Sequence, residues 1–100
     1  KWVVHVVGPR YRSGQDNAAM LRDAVIAALE RTVELEARSV AFPAISAGIF
    51  GYPRDAATRV IVEAIRDWVE DHPDALDRVW VVGFDAGTTD DFEKAVEASR

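Results

Sequence analysis

An α/β domain with parallel strands between helical layers is the fold this sequence predicts, and three observations predict it. Apolar runs at 2–7, 40–42 and 79–84 alternate with longer segments whose apolar residues recur every three or four positions. Each run ends in a breaker or a polar loop: Gly8-Pro9, Pro43, and the stretch 85–90. Strand and helix therefore alternate three times, the order that right-handed crossovers turn into a parallel sheet.

The first strand, 2–7, is apolar on both alternating faces except at His5, as expected of a strand covered on both sides. No carboxylate or second histidine lies near His5 in sequence, so a hydrogen-bonded core histidine is favoured over a base or ligand. The polar stretch 10–15 is expected to be a solvated loop, with a phosphate or ring contact by Arg10, Tyr11 or Arg12 as the sharper alternative. Asp16 is placed to cap a helix running to about residue 37. Leu21, Val25, Ala28, Leu29 and Thr32 form its inward stripe. A second helix is expected from Pro53 to about 71, its apolar face made by Ala57, Val60, Ile61, Ala64, Ile65, Trp68 and Val69. Trp68 reads as core packing, and His72 as a surface residue at the negative helix terminus. After the third strand, Thr88 and Asp91 have the spacing of a capping box opening a last helix through Phe92, Ala95 and Val96.

Composition narrows the chemistry. A chain of 100 residues with 49% hydrophobic content can bury a core and is read as one domain, 1–100. It has no cysteine, which excludes disulfides, cysteine-bound zinc and thiol catalysis and fits a reducing, cytoplasmic setting. Two histidines leave little material for a metal site, and no cofactor is called for. A net charge of −5 argues against a broad nucleic-acid or anionic-membrane surface. No stretch approaches the roughly 18 apolar residues of a membrane span. Because the first strand starts at once, with no leader or initiating methionine, the sequence is expected to begin inside a domain.

The stretch from Ser39 to Pro53 carries the functional signal. A strand runs into a loop of small residues, and a helix follows. Such a loop lets backbone N–H groups converge on an anion, and the helix N-terminus adds its dipole. The spacing matches neither a P-loop nor a dinucleotide-binding turn, so a tight connection needing glycine only for its backbone angles is equally open at this point. A serine-nucleophile elbow at Ala44 to Gly48 is rejected, since its helix would have to start at Ser46. Phe84, at the end of a strand, could stack on a base, and Phe50 could lie against a sugar.

Val3-Val4-His5-Val6-Val7-Gly8-Pro9, then Ser39 through Pro53, then Val82-Gly83-Phe84-Asp85, together resemble the second half of a macrodomain, the ADP-ribose-binding module. The resemblance covers essentially the whole chain. It implies a three-layer α/β/α fold, incomplete at the N-terminus, that recognises ADP-ribose or an ADP-ribosylated protein. By likeness to bacterial members it also implies removal of ADP-ribose from side chains or deacetylation of O-acetyl-ADP-ribose. In that family the loop at Ser46, Ala47, Gly48, Ile49, Phe50 and Gly51 wraps the diphosphate, with Phe50 orienting the distal ribose. Phe84 stacks on adenine, and Asp85 is expected at the adenosine end. Ala47 stands where the family often has threonine.

The family's Asn-Ala-Ala-Asn strand and its glycine-rich catalytic loop are not found in these residues, so no catalytic residue is assigned. By the family's strand order, that strand would separate 2–7 from 39–43. The two are therefore expected either to pair directly or to be bridged by a complementary chain, including a swapped protomer.

Overall fold

The computed structural model describes residues 8–47, 51–83 and 85–99. The expected strand 2–7 with His5, and the site candidates Gly48, Ile49, Phe50 and Phe84, lie outside the described residues. The elements in order are α1 (Asn17–Glu34), β1 (Ser39–Phe42), α2 (Arg54–Asp71), β2 (Arg78–Val81) and α3 (Ala86–Ala98).

Strands β1 and β2 pair in parallel, with Ser39 opposite Arg78 and Phe42 opposite Val81. The ladder runs one bond further, as Val82 N–H donates to the Phe42 carbonyl at 2.8 Å. At the other end Arg38 fixes the register. Its guanidinium donates to the carbonyls of Asp74 and Ala75, both at 3.1 Å, and pairs with the Asp77 carboxylate at 2.9 Å. The Arg38 carbonyl in turn accepts from Asp77 N–H at 2.6 Å. The return from α2 to β2 is thus tied to the residue just before β1.

Alternation along the strands separates two faces. Phe42 is buried in one cluster with Leu21, Val25, Ala28 and Leu29 of α1, Ala57, Ile61 and Ala64 of α2, and Phe92 and Ala95 of α3. Val40, Val79 and Val81 pack against that cluster. Leu21, Val25 and Leu29 are fully buried, each contributing on the order of 1.5–3 kcal/mol by leaving water. The opposite face carries Ala41, Trp80 and Val82, with Trp80 48% and Val82 50% exposed. Among the described residues the helices thus line one face of the sheet. No described helix is long and apolar enough to cross a membrane.

The helices follow their sequence signals, with three differences at their ends and faces. Asp16 caps α1, accepting from Ala19 N–H at 3.0 Å, and all five residues of the expected stripe are buried. The helix stops at Glu34 rather than near 37, because Glu36 adopts a left-handed φ of 59°. Glu36 N–H donates to Val33 and Ala37 N–H to Thr32 at 2.9 and 3.2 Å, a Schellman closure with glutamate where glycine is usual. In α2 the buried face is Ala57, Thr58, Ile61, Val62, Ala64 and Trp68, while Val69 is 36% exposed. Helix α3 opens two residues before the expected capping box. Asp85, not Thr88, is its N-cap, and its carboxylate accepts from Thr88 N–H at 2.8 Å. Thr88 is buried, and Asp91 is bonded to Arg54 instead of closing a box.

Candidate ligand-binding site

In parallel sheets, ligands bind beyond the carboxyl ends of the strands. The register sets those ends of β1 and β2 side by side, so the loop 43–53 and the turn 82–85 leave from neighbouring positions.

The loop begins with two tight closures: Ile45 N–H donates to the Pro43 carbonyl at 2.9 Å, and Ala47 N–H to the Ala44 carbonyl at 3.3 Å. Ser46 is then forced to a φ of 69°, a left-handed conformation that costs a residue with a Cβ roughly 1–2 kcal/mol. Its carbonyl accepts from Tyr52 N–H at 3.2 Å, and Ala47 bridges Tyr52, so the base of the loop is closed across 46–52. Gly51, at φ 77°, completes the return and has nothing within 4 Å of where a Cβ would stand.

Ser46 is 6% exposed, and its Oγ has no hydrogen-bond partner. Gly8 lies directly against it. A Cβ on Gly8 would run into Ser46 Oγ and Ile45 Cγ2 and stand 3.4 Å from the Ser46 backbone nitrogen. Only glycine allows the chain after the 2–7 segment to approach this loop so closely. On the other side Tyr52, 5% exposed, receives the Tyr11 ring edge-on, with centroids 5.0 Å apart and planes at 67°. Burial raises the Tyr52 phenol above its ordinary value.

Side chains of Asn17 and Gln15 order the 10–15 loop. Asn17 pairs with both backbone groups of Arg12, at 3.1 and 2.8 Å, while Gln15 Nε2 donates to the Arg10 carbonyl at 2.7 Å. The segment is the exposed loop expected, ordered by these bonds, and Tyr11, 45% exposed, makes the ring contact named as its alternative.

The turn 82–85 is joined to the central loop by its neighbours. Gly83 abuts Thr89, whose N and Oγ1 are 2.5 Å from where a Cβ would lie. Arg54, the first residue of α2, donates through Nε to Asp91 at 2.7 Å and lies 3.8 Å from Asp85. The Thr88 N–H bond, with Arg54 adding its charge, holds the Asp85 carboxyl below its usual range. The hydrogen bond to Asp91 raises the Arg54 guanidinium.

Of the expected site residues, Ser46, Ala47 and Gly51 sit together beyond β1, and Asp85 lies beyond β2 with its carboxylate engaged as the α3 cap. The Ala47 amide is spent within the turn. Gly8, Tyr11, Tyr52 and Arg54 join the site; Tyr11 had been weighed as a ring contact, and Tyr52 and Arg54 had not been expected. For Gly8 and Tyr52 the signal was present, a glycine at a strand end and an aromatic next to Gly51. For Arg54 no sequence pattern marked it. His72 is remote, stacked on Trp68 at 4.2 Å at the far end of α2, where its Nδ1 lies 2.8 Å from the Trp68 carbonyl. Among the described residues no group of three histidine, aspartate or glutamate side chains could hold a metal ion.

Residues 1–61 match the profile of the Macro domain family. The chain is 42% identical over 86 residues to ADP-ribose glycohydrolase MACROD1 of Bos taurus, covering 84% of this chain and 26% of that protein. It is 41% identical over 96 residues to the O-acetyl-ADP-ribose deacetylase of Citrobacter koseri, covering 94% of this chain and 53% of that one. Among solved structures, the Trypanosoma brucei macrodomain in complex with ADP-ribose superimposes with a TM-score of 0.76 at 31% identity, over 81% of this chain and 35% of that one. The chain thus spans about a quarter of the bovine relative and about half of the bacterial one. With its strand, small-residue loop and helix arranged as described, and the profile matched over more than half its length, the chain belongs to the Macro domain family.

Proposed function

We propose that this chain, acting as one unit over residues 1–100, binds ADP-ribose or the ADP-ribose group of a modified protein. The diphosphate would lie on the loop from Ser46 to Gly51, with Gly48, Ile49 and Phe50 completing the cradle and Phe50 against the distal ribose. Phe84 and Asp85 would face the adenosine. The observation that carries this reading is Ser46: a left-handed serine, nine-tenths buried, whose hydroxyl has no partner. Strain and an unsatisfied buried donor at one residue, beyond the carboxyl end of a strand, are what a site awaiting a polar ligand would show. The names of its relatives supply the ligand class, ADP-ribose and its acetyl ester.

For activity, the reading is hydrolysis of an ADP-ribose linkage or of O-acetyl-ADP-ribose, with water placed against the distal ribose. A non-catalytic binding module is the second reading, in which the same loop holds ADP-ribose without turnover. Among the described residues β1 pairs only with β2, which supports a complementary chain or swapped protomer bridging the sheet at the other edge of β1. A cysteine-free composition supports a cytoplasmic setting.

An amide-resolved NMR titration with ADP-ribose tests the binding. Shifts confined to 46–52 and 82–85, lost in Gly48→Glu where a carboxylate would meet the diphosphate, are expected. An unresponsive spectrum would contradict the assignment. Release of acetate from O-acetyl-ADP-ribose separates the enzyme from the binding module. Sedimentation of the chain tests the bridging partner: self-association supports a swapped protomer, and a monomer rejects it.

A further inference from the structure

We infer that Arg54 is a positioning residue that sets the distance between the Ser46–Gly51 loop and the Val82–Asp85 turn, and with it the length of ligand that can span them. The inference rests on the proposed ADP-ribose reading for its ligand and on geometry for its mechanism.

Arg54 is placed where the two walls of the site can be coupled. It follows Pro53 at the end of the central loop and opens α2. Its guanidinium reaches across to the first two turns of α3, the helix that begins as the 82–85 turn ends. There it makes one short bond, Nε to Asp91 Oδ2 at 2.7 Å, with Asp91 only 17% exposed. A second, longer approach of 3.8 Å joins it to the N-cap carboxylate of Asp85. The guanidinium lies flat over Gly87, where a Cβ would stand 2.7 Å from Nη2, 2.9 Å from Nη1 and 3.0 Å from Cζ. Gly87 thus provides the space the planar group occupies.

The electrostatics argue against an accidental surface pair. A cation at the N-termini of two helices runs against both dipoles. Asp55, Asp85 and Asp91 surround it and reverse the local sign, and each favours the charged guanidinium. A lysine would keep the charge but not the planar contact over Gly87 together with the directed Nε bond. Arg54 is 46% exposed, so the pair adds little to global stability. What it fixes is relative position, because it ties the first residue of α2 to the N-cap and second turn of α3, two helices that otherwise meet across their faces.

The experiment compares wild type, Arg54→Gln, Arg54→Lys and Asp91→Asn, first without ligand and then with ADP-ribose and AMP, which reaches only one wall. Without ligand, Arg54→Gln is expected to shift the amides of 82–88 while leaving the midpoint of thermal unfolding nearly unchanged. With ligand, ADP-ribose affinity is expected to fall about tenfold and AMP affinity less than about twofold, since only a ligand spanning both walls loses preorganisation. Lysine should not rescue, and the Arg54→Gln/Asp91→Asn double variant should be no worse than either single one. Unmoved amides at 82–88, an unchanged ADP-ribose to AMP ratio, or rescue by lysine would each overturn the inference. A wild-type chain that takes up no ADP-ribose contradicts the functional reading by itself, and the ligand-free amide comparison then decides the positioning role.

Discussion

Gly8 sits so close to Ser46 that a methyl group on it would collide with the serine hydroxyl and with Ile45. The approach sets Gly8 against the loop beyond β1, and it is a tight constraint on the candidate site that a single substitution can probe. Gly8→Ala is expected to destabilise the chain by about 1–3 kcal/mol, the cost of forcing an extra carbon into a packed contact. Because Ser46 must move, ADP-ribose affinity should fall with it. Urea unfolding alongside calorimetric titration checks both, and a tolerated alanine with unchanged affinity would show that the contact is compliant.

Ser46 itself should trade stability against binding. Its left-handed backbone costs roughly 1–2 kcal/mol relative to glycine, and its buried hydroxyl is unpaired. Ser46→Gly is therefore expected to raise stability by about 1 kcal/mol while weakening ADP-ribose about two- to tenfold, the loss of one hydrogen bond. Ser46→Ala keeps the strain and removes the unpaired hydroxyl, so it should lose affinity alike, and any gain in unfolding midpoint comes only from relief of the buried polar group. If both variants bind as well as wild type, the hydroxyl has no ligand role.

A parallel case lies outside the site. Glu36 holds the left-handed position of a Schellman closure at the end of α1. Glu36→Gly should stabilise the chain by about 0.5–1 kcal/mol, the left-handed penalty less the extra chain entropy of glycine. Its effect on ADP-ribose binding should be nil. Equal or lower stability in urea would mean that Glu36 is compensated by its surroundings.

The same residue shows where the sequence was legible and where it was not. The inward face of α1 followed from spacing alone, since Leu21, Val25, Ala28, Leu29 and Thr32 recur on one side and are all buried. Its end did not, because the stop signal is normally glycine and here is glutamate. The start of α3 failed for a related reason. Asp85 and Thr88 both head a plausible cap, and the choice between them depends on Arg54 taking Asp91 away, a contact between residues 37 apart in sequence. At the site, the order of strand, small-residue loop and helix marked Ser46 and Gly51 because their chemistry is local. Tyr11 could be named only as one of three alternatives, and Arg54 was invisible, because their roles arise only when separate segments fold together.

Acid and alkali should expose two of these contacts separately. Asp85 has a depressed carboxyl pKa in the folded chain, chiefly because Thr88 N–H donates to it. Its stabilising contribution is therefore present above the unfolded aspartate value of about 3.9 and is lost as pH falls through the lower, folded value. Asp85→Asn keeps an N-cap acceptor but cannot titrate, so its stability should vary less on the acid side while remaining near wild type at neutral pH. Tyr52 behaves in the opposite sense. Burial raises its phenol, so its contribution is complete below the unfolded tyrosine value of about 10 and is lost as pH rises through the folded one. Tyr52→Phe should flatten the alkaline limb and leave the acid limb unchanged. Unfolding midpoints measured from pH 2 to 11 distinguish the two, and an acid limb unaltered by Asp85→Asn would mean that other carboxylates, Asp77 beside Arg38 first among them, carry the acid sensitivity.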